Sequence, residues 1–245
     1  MILGAAITTP SANAILSWDL RARVSGGGAA MENPKSVILL PGLPAQTIDF
    51  DLYAVVTGLN ATIDETFQQG LTKLLTTGAI RGNFELIVLN PTFAVVGSLP
   101  GPLVDLDADG DIDIGSNSTT ATTGYIFPRA SAQQGAGVGV DLPGATAGRE
   151  FLWGTVRLNI SNVTPADTQT AANFAVPSGL TGANAAARGT WNQDAGAAEN
   201  GSNSALLSVG APVLLTVVPE PSAFGMVLLG AMGLVGFRRL GIRRA

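Results

Sequence analysis

The chain contains no cysteine and no histidine. Without cysteine there is no disulfide framework and no thiolate nucleophile. Without histidine the commonest general base and the usual zinc ligand are both missing. A Ser-His-Asp or Cys-His triad is therefore excluded. Charge is also scarce, at 13% of residues, and aromatics make up only 6%. The 13 Lys and Arg stand against 18 Asp and Glu, for a net charge of -5. Four of those positives are Arg238, Arg239, Arg243 and Arg244, so the residues before Phe237 carry nine positives against 18 negatives. An acidic body of this kind argues against a nucleic-acid partner.

What the chain has in quantity is glycine, alanine, threonine, asparagine and valine, a composition that favours strands and turns over long helices. Trp18, Leu20, Ala22 and Val24 alternate with Asp19, Arg21 and Arg23, the spacing of a half-buried strand. Val37 to Leu40 reads as a second strand, closed by Pro41-Gly42, and Ile48 to Ala54 as a third. Phe84, Leu86 and Val88 return to strand spacing, Thr92 to Val96 continues it, and Phe151 to Ile160 is a long strand. Leu206-Leu207 and Val213 to Val218 complete the sheet.

Thr62 to Thr77 predicts the one internal helix, with Thr62 and Glu65 at capping-box spacing and Phe67, Leu71, Leu74 and Leu75 on one face. Its threonines and Gly70 leave a pair of short strands as the alternative. Ser131 to Gly148 and Thr164 to Asn203 read as loops, the second with strand around Phe174 to Val176 and Thr190-Trp191. Many short strands between Gly, Pro, Asn and Asp turns predict a mainly β fold, a β-sandwich. In pattern this resembles cohesin-like or immunoglobulin-like sandwiches.

The densest chemistry lies in Asp105-Leu106-Asp107-Ala108-Asp109-Gly110-Asp111-Ile112-Asp113, five aspartates in nine positions. Crowded carboxylates repel one another and call for a cation. In an EF-hand loop, positions 1, 3 and 5 supply carboxylates and position 6 is the turn glycine; position 7 gives a carbonyl and position 9 acts through water. Asp105, Asp107, Asp109, Gly110, Asp111 and Asp113 fall on those positions, and Ile112 is placed to pin the loop to the core. Position 12, a bidentate glutamate in an EF-hand, is Ser116, and Pro100-Gly101-Pro102 stands where a helix would enter. The run resembles the short Asp-x-Asp-x-Asp-Gly calcium motifs of extracellular repeats and dockerin-like loops. The reading is a structural Ca2+ site, against a solvated acidic turn, since Asp and Gly are common in turns.

At the far end, Val218-Pro219-Glu220-Pro221-Ser222 precedes the apolar run Ala223 to Phe237 and the arginines. That run has 15 residues, short of the roughly 17 to 20 a bilayer crossing needs, unless the flanking arginines extend it by reaching the headgroups. Basic residues beside a span stay on the cytoplasmic side, which would put the body across the membrane. The alternative is a buried C-terminal helix. The three parts in this order resemble the PEP-CTERM sorting signal of Gram-negative bacteria. The resemblance covers residues 218 to 245. It implies export, a transient inner-membrane intermediate, recognition by an exosortase through Pro219, Glu220 and Pro221, and release or attachment at the cell surface. Association with extracellular polysaccharide and biofilm is implied too.

Ala12-Asn13-Ala14 is a small-x-small site of the sort signal peptidase cuts. No lysine or arginine precedes it, which suggests a leader beginning upstream of Met1; a plain N-terminal strand or disordered start is the alternative. The expected organisation is thus a signal-peptide remnant over 1-14, an exported β-rich domain over 15-217, and a sorting signal with a transmembrane helix over 218-245. The expected function is a non-enzymatic exported surface or matrix protein. A lectin-like module stacking sugars on Trp153, Trp191 or Tyr125 is a second reading, although these aromatics suit a core equally. A carbohydrate-active enzyme working through carboxylates is a third.

Overall fold

The computed structural model describes residues 15–119, 124–145, 147–161, 163–164, 169–178, 180, 189–192, 199–200 and 206–218. Among them the chain runs through β1 (Ile15–Gly26), β2 (Ala30–Asn33), β3 (Ser36–Leu39), β4 (Gln46–Thr57), β5 (Thr66–Gly70) and β6 (Lys73–Gly78). Next come β7 (Gly82–Phe84), β8 (Val88–Leu89), a 3-10 turn over Pro91–Phe93, β9 (Leu103–Val104), β10 (Asp113–Ile114), β11 (Arg129–Gln134) and β12 (Val140–Leu142). β13 (Gly148–Ile160), β14 (Gln169–Ala175), β15 (Gly189–Asn192), β16 (Glu199–Asn200), β17 (Leu207–Val209) and β18 (Val213–Val217) complete the order.

The fold is mainly β and is built on a curled half-barrel sheet. This corrects the expected cohesin-like or immunoglobulin-like sandwich. The first sheet has the order β12-β13-β4-β1-β17, and its three central strands are 12 or 13 residues long. Strands of that length accumulate right-handed twist. Bulges add to it, and here they fall between Ala22 and Val24 against β4 and between Leu152 and Gly154 against the same strand. One edge of β13 is lined in succession by β12, β8 and β7. A second sheet runs β2-β3-β18-β14-β6-β10-β9, and a third runs β11-β5-β15-β16. Two pairings, β1 with β17 and β18 with β3, are parallel.

All three sheets contribute to one core. Trp18 of β1 packs edge-on against Trp153 of β13 at 5.9 Å and Phe67 of β5 at 5.8 Å. Phe174 of β14 leans on Trp153 at 5.8 Å. Leu16, Trp18 and Leu20 are fully buried while the residues between them are only half so, the alternation expected for this strand. Val24, past the bulge, is 50% exposed, because the extra residue reverses which side it faces.

Several expectations are corrected. Residues 62 to 77 hold β5 and β6 rather than a helix. Either reading buries Phe67, Leu71 and Leu74, so those three could not separate them. Thr76 does, being buried in step with Leu74 at strand spacing. Glu65 is wholly buried instead of capping a turn, while the Thr62 N–H bonds to Asn60 Oδ1 at 2.6 Å. Leu86 and Val88 face solvent and Ile87 is buried, the reverse of the expected phase. Of residues 92 to 96, expected as strand, Thr92 and Phe93 belong to the 3-10 turn over Pro91–Phe93, and only Phe93 is buried. The expected loop over 131 to 148 carries most of β11 and all of β12; within 164 to 203 the strands expected around 174–176 and 190–191 are found as β14 and β15, and β16 is added.

Among the described residues no helix is long and apolar enough to cross a membrane; the expected C-terminal transmembrane helix falls on residues outside them. Residues 219–245, with Pro219, Glu220, Pro221 and the apolar run, lie outside the described residues, as does the 12–14 cleavage site.

Candidate metal centre

The aspartate run forms the turn of a short hairpin. β9 and β10 pair antiparallel with Asp113 opposite Val104 and Ile114 opposite Leu103, and β10 docks on β6 through Ile114 and Leu74. Ile114, fully buried, anchors the hairpin; Ile112, expected in that role, is only half-buried. The Ile112 N–H instead donates to Asn83 Oδ1 at 3.1 Å and its carbonyl accepts from Phe84 N–H at 2.9 Å, tying the loop to β7. The hairpin needs special backbone at its entry. Gly101 has φ 83, and a Cβ there would lie 2.7 Å from Ile114 Cγ2. Within the loop Gly110 has φ 96, and Ala108 has φ 62, a left-handed conformation that costs a non-glycine residue about 1–2 kcal/mol.

The carboxylates sort into two triads that share Asp107. Asp105, Asp107 and Asp109 form one, Asp107, Asp111 and Asp113 the other, and in each the ligand-type oxygens lie within 4.8 Å of one another. Either triad could coordinate a metal ion. The outer triad sits at the surface, with Asp105 and Asp107 exposed. Asp105 accepts the N–H groups of Asp109 at 3.2 Å and Gly110 at 3.0 Å, so it serves the turn. Asp109 accepts the Asp111 N–H at 3.2 Å and pairs with Arg81 Nη1 at 2.6 Å.

The inner triad is different because two of its members are buried, Asp111 at 1% exposure and Asp113 at 0%. Asp113 accepts the Thr76 N–H at 3.1 Å and the Leu106 N–H at 3.0 Å. The Thr76 hydroxyl donates to Asp111 Oδ2. Asp111 Oδ1 is buried and has no donor among the described residues. Burial pushes the Asp111 carboxyl up to about 7, with the carboxylates of Asp109 and Asp113 adding to the shift and the Thr76 hydroxyl opposing it. Burial likewise lifts Asp113 to about 6 against the pull of its two backbone donors. Asp107 is raised as well, by desolvation and then by Asp109. A buried carboxylate is tolerated only when its charge is compensated. An all-oxygen, acidic donor set of this kind suits a hard divalent cation.

All five aspartates expected from the sequence therefore come together, but not in the EF-hand roles. Asp111 and Asp113 bring buried carboxylates rather than a carbonyl and a water. Ser116, at position 12, turns away, its Oγ accepting the Ser118 N–H at 3.0 Å. Thr76, Arg81 and Asn83 escaped the sequence reading because they lie 22 residues or more before the loop and follow no local spacing.

The other candidate sites read differently. Trp153 and Trp191 are wholly buried and Tyr125 nearly so, which places all three in the interior, away from sugars. A groove of about 300 Å³ on the outer face of the first sheet is lined by Arg23, Asp49, Glu85, Val88, Thr155 and Arg157. Its Asp49 is gripped by Arg157 at 2.6 and 3.0 Å and held below the usual carboxylate range, the opposite of what a general acid needs. Its Glu85 accepts from Asn159 at 2.8 Å. Compared with known proteins, the chain matches no family model and no curated protein.

Proposed function

We propose that this chain is a non-enzymatic protein of the cell surface or extracellular matrix, exported and processed by an exosortase, and that a calcium ion at the aspartate loop stabilises its fold. Asp111 carries the metal part of the proposal: among the described residues its buried Oδ1 faces no donor inside a triad of carboxylates. The donor set is all oxygen, and a weak extracellular-class calcium site fills at about 10⁻⁴–10⁻³ M. An ion there would tie the β9–β10 hairpin to β6 through Asp111, Asp113 and their shared partner Thr76. Export and exosortase handling rest on the resemblance of residues 218 to 245, with Pro219, Glu220 and Pro221 as recognition residues. Extracellular polysaccharide is the partner that resemblance suggests.

Calcium titration followed by thermal melting tests the metal. The midpoint should climb with calcium in the parent protein and stay flat in Asp107→Ala, which removes the carboxylate both triads use. A parent midpoint indifferent to calcium would sink the assignment. For the sorting motif, co-expression with an exosortase should yield a shortened product that Glu220→Ala abolishes.

A further inference from the structure

Arg81 is the one cation in ion-pair contact with the loop among the described residues, and it contacts only the outer triad. Its guanidinium lies 2.6 Å from Asp109 Oδ2, while the other Asp109 oxygen is taken by the Asp111 N–H. Both Asp105 oxygens are likewise engaged, by the N–H groups of Asp109 and Gly110. The outer carboxylates, which fit the first EF-hand positions best, are thus supplied with donors and with a countercharge. Among the described residues the inner pair has donors but no cation, and within the loop it alone holds an oxygen, Asp111 Oδ1, that is buried without a partner.

Resting on the calcium reading above, we infer that Arg81 is the built-in counter-cation of the outer carboxylates and that the divalent ion seats in the inner triad, Asp107, Asp111 and Asp113. Arg81 is reachable for this role because it directly follows Ile80, whose N–H bonds to Thr170 Oγ1 at 2.8 Å and whose side chain is buried. The backbone is held while the guanidinium, half-exposed, extends over the loop. A fixed positive charge beside a divalent ion repels it, so Arg81 also weakens the site it borders. The loop then takes up the ion only where that ion is abundant.

Calorimetric titration of the full chain with calcium chloride, in the parent, Asp105→Asn and Arg81→Gln, tests this. Both changes lie at the surface and leave the buried carboxylates in place. A single calcium should bind the parent. Asp105→Asn should still bind, roughly fivefold more weakly, and Arg81→Gln should bind roughly fivefold more tightly, each the effect of removing one nearby charge. Loss of binding in Asp105→Asn, or unchanged or weaker binding in Arg81→Gln, overturns the inference while leaving a calcium site standing. No binding by the parent overturns the calcium reading itself, and is seen before any variant is compared.

Discussion

At Asp111 a carboxylate only 1% exposed has one oxygen bonded to the Thr76 hydroxyl and the other facing no donor among the described residues. Thr76→Val keeps the shape of the residue and removes the hydroxyl, so the buried carboxylate loses its side-chain donor. Leaving a buried polar group unsatisfied costs about 1–3 kcal/mol. Urea denaturation should register a loss of that size, whereas a neutral result would mean the hydroxyl is dispensable. Ala108 presents the reverse case. With φ 62 it bears the left-handed penalty of about 1–2 kcal/mol, which glycine escapes at an entropic cost of about 0.5–1 kcal/mol. Ala108→Gly should therefore stabilise the protein by roughly 0.5–1 kcal/mol in the same assay. The five aspartates were legible as a cation-binding run from spacing alone. Which of them are buried was not, because burial depends on β6 lying behind the loop, and β6 precedes it by 27 residues or more.

Strand alternation is the governing rule at the scale of the element, and β13 shows it in adjacent residues. Leu158 is fully buried and Arg157 faces solvent in an exposed pair with Asp49. Leu158→Ala removes core volume and should cost about 2–5 kcal/mol. Arg157→Ala, losing only a screened surface pair, should move the melting midpoint far less. Equal effects would mean the register of β13 is not as described. The long strands β1, β4 and β13 were readable because their apolar residues recur at every second position. Residues 62 to 77 were not, since Phe67, Leu71 and Leu74 are spaced as on one helix face, and only the break between β5 and β6 and the sheet partners of β6 overrule that pattern. Leu86 and Val88 misled for another reason. A strand two residues long, β8, is placed by its pairing with β13 and not by its own pattern.

For the whole molecule, the linkage between protons, calcium and folding gives the sharpest expectation. Asp111 and Asp113 are raised to about 7 and about 6, above the roughly 3.9 of an unfolded aspartate. The folded state then holds their protons more tightly. Their contribution to stability is fully present below about pH 4 and is lost as pH rises through 6 and 7. Asp49, lowered by its bond to Arg157, acts in the opposite sense and weakens the fold only as the solution becomes strongly acidic. In chelator the melting midpoint should accordingly fall between pH 5 and pH 8. Calcium needs the charged carboxylates, so its stabilising effect should be larger at pH 8 than at pH 5. A calcium effect that grows toward acid would contradict the assignment of these aspartates as ligands.

Sequence by itself determined the mainly β character, the positions of the long strands and the cation-seeking aspartate run, because each is written in residues close together in the chain. Missing histidine and cysteine likewise narrowed the chemistry without any coordinates. Tertiary structure alone decided the curled half-barrel over a sandwich, the interior place of Trp153, Trp191 and Tyr125, and the division of the loop into an outer and an inner triad. Those outcomes depend on bulges, on sheet partners far apart in sequence and on what lies behind each carboxylate, and no spacing rule records them.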